Sequence, residues 1–82
     1  MRMYDPDANK SIRRIQLYLS PYEAMDIVKE LEELLKDPET KEHFHVFCEN
    51  SDRELSCSLL TSHKLSNLST YTKAEQKVIS EK

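Results

Sequence analysis

Residues 11–82 predict an α+β domain of order β-α-β-β-α, a three-stranded sheet with two helices packed on one face. Three observations carry that expectation. Residues 11–19 alternate apolar and polar side chains at the strand period of two. Residues 21–36 repeat apolar side chains at helical spacing, directly after Ser20-Pro21. Residues 43–48 and 54–60 are two short apolar runs around the polar turn Asn50-Ser51-Asp52-Arg53, the pattern of an antiparallel hairpin.

Residues 1–10 are polar, and Asp5-Pro6-Asp7 breaks regular structure, so a flexible N-terminal arm is expected there. In the strand over 11–19, Ile15, Leu17 and Leu19 share one face and are assigned to the core. Ile12, Arg14, Gln16 and Tyr18 share the other. Ser20 then reads as a helix N-cap. Pro21 suits the first helical position, and Glu23 closes a capping box with Ser20. Ala24, Ile27, Val28, Leu31, Leu34 and Leu35 form one apolar stripe. Glu23, Asp26, Glu30, Glu33 and Asp37 lie opposite, and Glu32 with Lys36 makes an i, i+4 pair. Asp37-Pro38 stops the helix, because a residue before proline avoids the helical region.

In the hairpin, pairing Cys48 with Leu55 sets Val46 opposite Cys57 and Phe44 opposite Leu59, all on one apolar face. Residues 61–71 are rich in Ser and Thr and read as a loop. Thr72-Lys73-Ala74-Glu75 is a second capping box, opening a short helix with Ala74, Val78 and Ile79 inward.

The 82 residues make one small domain, which buries only about 60% of its unfolded surface and gains from pairing with another chain. There is no glycine, so phosphate-cradling loops and nucleophile elbows are absent, and turns must use Asp, Asn, Ser and Pro. Net charge is −3, unevenly placed: +2 over residues 1–20, −7 over 21–54 and +2 over 55–82. The acidic middle makes nucleic acid an unlikely partner. No apolar run approaches the ~20 residues of a membrane helix, and residues 1–7 lack the apolar core of a signal peptide. Cytoplasmic localisation, without membrane association, is therefore expected. Cys48 and Cys57 match no zinc spacing and read as reduced apolar filler.

Three surfaces present themselves. The open sheet face would carry Tyr18, His45, Phe47 and Leu60, with His43, Ser56 and Ser58, and would serve a protein partner, above all a second copy. Its aromatics also suit stacking on single-stranded nucleic acid. The acidic helix face, Asp26, Glu30 and Glu33, would dock a basic partner. His43 and His45 point the same way on a strand, with His63 or Glu42 as a conceivable third ligand. Two ligands fall short of the four positions zinc fills, so no metal and no cofactor is expected. No spacing sets a nucleophile beside its base, so no catalytic residue is assigned and the chain is read as not an enzyme.

The run from Ile12 through Leu19-Ser20-Pro21-Tyr22-Glu23-Ala24, then Leu31-Glu32-Glu33-Leu34-Leu35-Lys36-Asp37-Pro38, His43-Phe44-His45-Val46, Arg53-Glu54-Leu55 and Leu60-Thr61-Ser62, covers about two-thirds of the chain. It resembles a group of small uncharacterised bacterial β-α-β-β-α proteins, some of them immunity proteins of toxin systems. The turn between the second and third strands lacks the glycine usual in that group. The resemblance implies a single-partner protein that blocks a toxin by binding it, with the acidic face against a basic cleft. The combined expectation is a non-catalytic protein-binding module, homodimeric through the open sheet face or an edge strand. An immunity-type inhibitor and a single-stranded nucleic-acid binder are the alternatives.

Overall fold

The second capping box and the first both form, and they mark the two helices that carry most of the buried apolar side chains. The computed structural model describes residues 1–81. Among them the chain is α+β, with three α-helices, one 3-10 turn and two separate two-stranded antiparallel sheets. It divides into two compact units, one of residues 1–17 with 62–81 and one of Tyr18–Thr61.

In the central unit, α1 spans Pro21–Lys36, the bounds that its flanking signals predict. The Ser20 Oγ accepts from the Glu23 N–H at 3.1 Å, and Glu23 Oε1 accepts from the Ser20 N–H at 2.9 Å. Two of the orphan donors at the helix start are thus satisfied, and Pro21 presents none. Strands β3 (Phe44–Phe47) and β4 (Glu54–Cys57) form the hairpin. Phe44 pairs with Cys57 and Val46 with Leu55. The register is therefore two residues away from the one expected. An even slip leaves every side chain on its assigned face, so the apolar pattern alone could not detect it. The turn decides it. The Cys48 N–H donates to the Arg53 carbonyl at 3.0 Å, which fixes a loop of residues 49–52. Inside that loop the Ser51 N–H donates to the Cys48 carbonyl at 2.8 Å, and Ser51 takes φ 60°. With no glycine to use, a serine occupies the left-handed region at some cost.

Buried Leu34, Phe44 and Val46 are the core of this unit, with Ile27, Cys57 and Leu59 packed on them. Leu34 is 1% exposed. The inner face of a two-stranded hairpin is narrow, and it covers only one edge of the α1 stripe. Val28 (55% exposed) and Leu35 (65%), expected in the core, face outward with Leu31 and Met25. Conversely Glu23, Asp26, Glu30 and Glu33, expected on the outer face, are half-buried. The helix sits rotated from the position its apolar pattern predicts. Lys36 pairs with Glu33 at 3.4 Å rather than with Glu32, and Lys41 approaches Glu33 at 3.9 Å.

In the other unit, β1 (Tyr4–Asp5) pairs with β2 (Lys10–Ser11), and the Ile12 N–H extends the ladder to the Met3 carbonyl at 2.9 Å. Asp5 Oδ1 accepts from the Asp7 and Ala8 N–H groups at 3.0 and 3.2 Å, an Asx turn. Tyr4 donates its hydroxyl proton to Asn9 Oδ1, and Asn9 supplies the positive φ, 54°. The regular pairing thus lies in the segment expected to be an arm. Of residues 11–19, expected to be the first strand, only Ser11 lies in one, and among the described residues there is no three-stranded sheet. Alternation specifies faces but names no pairing partner. A local hairpin closes a short loop, whereas a third strand must be paired across a long crossover at greater entropic cost. Residues 61–71 are less irregular than expected: α2 (Ser62–Leu65) and a 3-10 turn (Leu68–Thr70) lead into α3 (Lys73–Ile79). In α3 the Thr72–Glu75 capping box forms at 3.2 and 3.0 Å, and Val78 and Ile79 are buried. Arg2 Nε donates to the Glu81 carbonyl at 3.0 Å, fastening the N-terminal segment to the end of this helical stretch.

Candidate functional site

The four residues expected on one open sheet face are not brought together. His45 and Phe47 lie on the outer face of β3. Tyr18 lies in the extended segment before α1, 88% exposed and in no strand. Leu60 falls beyond the end of β4 and is half-buried. What remains on the outer hairpin face is a short ladder of His43, His45 and Phe47 beside Glu54 and Ser56. The His43 and His45 rings meet edge-on at 4.6 Å, and His45 stacks over Phe47 at 6.3 Å. His45 Nδ1 lies 2.7 Å from Glu54 Oε2 and 2.8 Å from Ser56 Oγ. With a proton on Nδ1 the ring donates to the carboxylate, which fixes its plane across the strand pair. A ring so held is an ordered surface group. Among the described residues no cluster of three or more His, Cys, Asp or Glu side chains is placed to hold a metal ion.

The hairpin turn carries a second polar cluster. Cys48 Sγ lies 2.7 Å from Asn50 Oδ1 and 3.0 Å from Asp52 Oδ1, and it accepts from the Arg53 N–H at 3.2 Å. The thiol first, then the Arg53 guanidinium at 2.9 Å, holds the Asp52 carboxyl below its ordinary range. These contacts knit a turn that lacks glycine. With Ser20, Glu23 and Glu49 they line a shallow concavity of about 370 Å³. Cys57 is also a free thiol, and burial pushes it up from its ordinary value, which keeps it protonated and inert.

The acidic residues Asp26, Glu30 and Glu33 stay on α1 but do not stand free in solvent. All three are half-buried, and Glu33 is matched by Lys36 and Lys41. The surface that sequence reasoning missed is the neighbouring one. Met25, Val28, Leu31 and Leu35 are exposed along the helix, and Ala24, Met25, Val28, Lys29 and Glu32 line an apolar shallow of about 290 Å³. The signal for it was present: six apolar residues span more helix surface than a single hairpin can cover. Monomeric proteins seldom leave such a contiguous patch without use.

No protein-family model, no curated protein and no solved structure matches this chain. Among the described residues no helix is long and apolar enough to cross a membrane.

Proposed function

We propose that this chain is a non-catalytic protein-binding module whose working surface is the uncovered apolar face of α1. The observation that carries this reading is the exposure of Met25, Val28, Leu31 and Leu35 on a helix whose other edge, Ile27 and Leu34, already holds the hairpin. A capped, pre-formed helix with an open apolar stripe is the form in which helices dock into partners. The outer hairpin face suits this less well than the sequence suggested, because His45 is engaged by Glu54 and Ser56. Glu54 also sets a carboxylate on the stacking ladder, which disfavours a nucleic-acid backbone. A toxin-blocking role through Asp26, Glu30 and Glu33 is weakened by their partial burial and by the lysines beside Glu33. Two free cysteines fit a reducing compartment, so the cytoplasm is the proposed location.

The test is binding by the full chain before and after Val28→Glu, with circular dichroism to verify that the helix persists. Association with any protein, itself included, should be lost in the variant. Association that survives the substitution would move the working surface elsewhere, and a chain that associates with nothing would sink the reading.

A further inference from the structure

We propose that the uncovered face of α1 pairs with the same face of a second copy of this chain, the two helices running antiparallel about a two-fold axis near residues 29 and 30. This pairing rests on the protein-binding reading above and names the partner.

The spacing comes first. Ala24, Val28, Leu31 and Leu35 are separated by four, three and four residues, the interval of a knobs-into-holes seam. The last three are exposed and Ala24 is half-buried. Helix α1 is already nucleated by its capping box, so association need not supply the cost of forming it.

The seam is self-complementary in one direction only. Antiparallel, Val28 meets Leu31 of the second copy and Ala24 meets Leu35, so each layer sets a smaller side chain against a larger one. Two-fold symmetry repeats both contacts. Parallel, Ala24 would meet Ala24 and leave a gap at one end.

Charge chooses the same direction. Lys29 and Glu32 lie on one flank of the seam, beside Met25, where they line the apolar shallow. Neither makes an ion pair among the described residues. In the antiparallel register each Lys29 lies against Glu32 of the other copy, which gives two matched pairs. A parallel register would turn this flank toward the other flank of the second copy, where Ile27 and Leu34 already hold the hairpin, and would leave both charges without an opposite partner. Flanking charges of this kind set partner and orientation more than affinity. The other flank, Ile27 and Leu34, is occupied by the hairpin, so the two edges of one helix serve different contacts.

A pair of sixteen-residue helices is about 24 Å long, which places the contact at the small end of specific interfaces. Association is therefore expected to be dilutable and sensitive to salt. Sedimentation of the full chain from about 10 μM to about 1 mM should show a monomer–dimer equilibrium, a range matched to modest affinity. Lys29→Glu alone and Glu32→Lys alone should each weaken the dimer several-fold, by opposing like charges. The double variant Lys29→Glu/Glu32→Lys should restore it. An equimolar mixture of the two single variants should form a heterodimer more readily than either forms a homodimer, since both crossed pairs are then matched. Both substitutions are on the surface and should leave the circular dichroism spectrum unchanged. A dimer indifferent to these charges would overturn the antiparallel pairing. A chain monomeric throughout, yet binding a different protein in a Val28-dependent manner, would overturn self-pairing and leave the protein-binding reading standing. Monomer with no binding at all would overturn both.

Discussion

Helices α1 and α3 begin with the same device and bury their apolar residues to different extents. Each opens on a hydroxyl N-cap with a glutamate three residues later, and both capping boxes close. In α3, only seven residues long, Val78 and Ile79 are buried. In α1, more than twice that length, Leu34 alone is fully buried and half of the stripe faces outward. The local start signal decides that a helix forms and where it begins. It carries no information about how much of the apolar face a neighbour will cover. A short helix with two core residues is covered easily, while a broad stripe facing one hairpin has a surplus, and the surplus is where the binding reading lies.

The largest expected effect sets the buried edge of α1 against its open edge. Leu34→Ala should cost about 2–5 kcal/mol in urea unfolding, because it empties a closed site. Its neighbour Leu35→Ala should change stability by no more than about 0.5 kcal/mol when measured below the association range. Equal costs would erase the distinction between the two edges. In α3, Ile79→Ala should fall toward the lower end of about 2–5 kcal/mol, since its site is slightly more open.

The caps allow a finer comparison. Ser20→Ala and Thr72→Ala should each cost about 0.5–2 kcal/mol by thermal or chemical unfolding. A change confined to one of the two helices would show that the matching hydrogen bonds do not carry matching weight. Smaller again, Ser51→Gly should raise stability by up to about 1 kcal/mol, because glycine takes φ 60° without the penalty serine bears.

The smallest effect is a titration. Asp52 is held low by the Cys48 thiol first and by Arg53 second. Whatever stability it contributes is fully present above the unfolded aspartate value of about 3.9 and is lost as pH falls through the lower folded value. A carboxyl-detected NMR titration should place its midpoint below the ordinary one, and Cys48→Ala should move it upward. An Asp52 midpoint indifferent to that substitution would remove the thiol as the cause.

Much of the fold could be read directly. The bounds of α1, both capping boxes, the β3–β4 hairpin and the assignment of Phe44, Val46 and Cys57 to its inner face all follow from spacing and end signals. The candidate site was far less legible. Tyr18 and Leu60 were assigned to a sheet face on the premise that residues 11–19 and 54–60 were strands throughout. The strand pairing instead uses residues 4–5 with 10–11 and stops at Cys57. His45 and Phe47 were found because their strand pairs locally, across a turn of four residues.

Helix boundaries and strand faces are properties of neighbouring residues, set by hydrogen bonds and periodicities that span a turn or two, and the residues by themselves determined them. Register, the strand partner of residues 11–19 and the side of α1 left open are choices among distant segments. They depend on loop closure, on the geometry of the 48–53 turn and on how wide a face the hairpin can offer. Only the tertiary structure decided them, and it left half of an apolar stripe that read as core exposed on the surface.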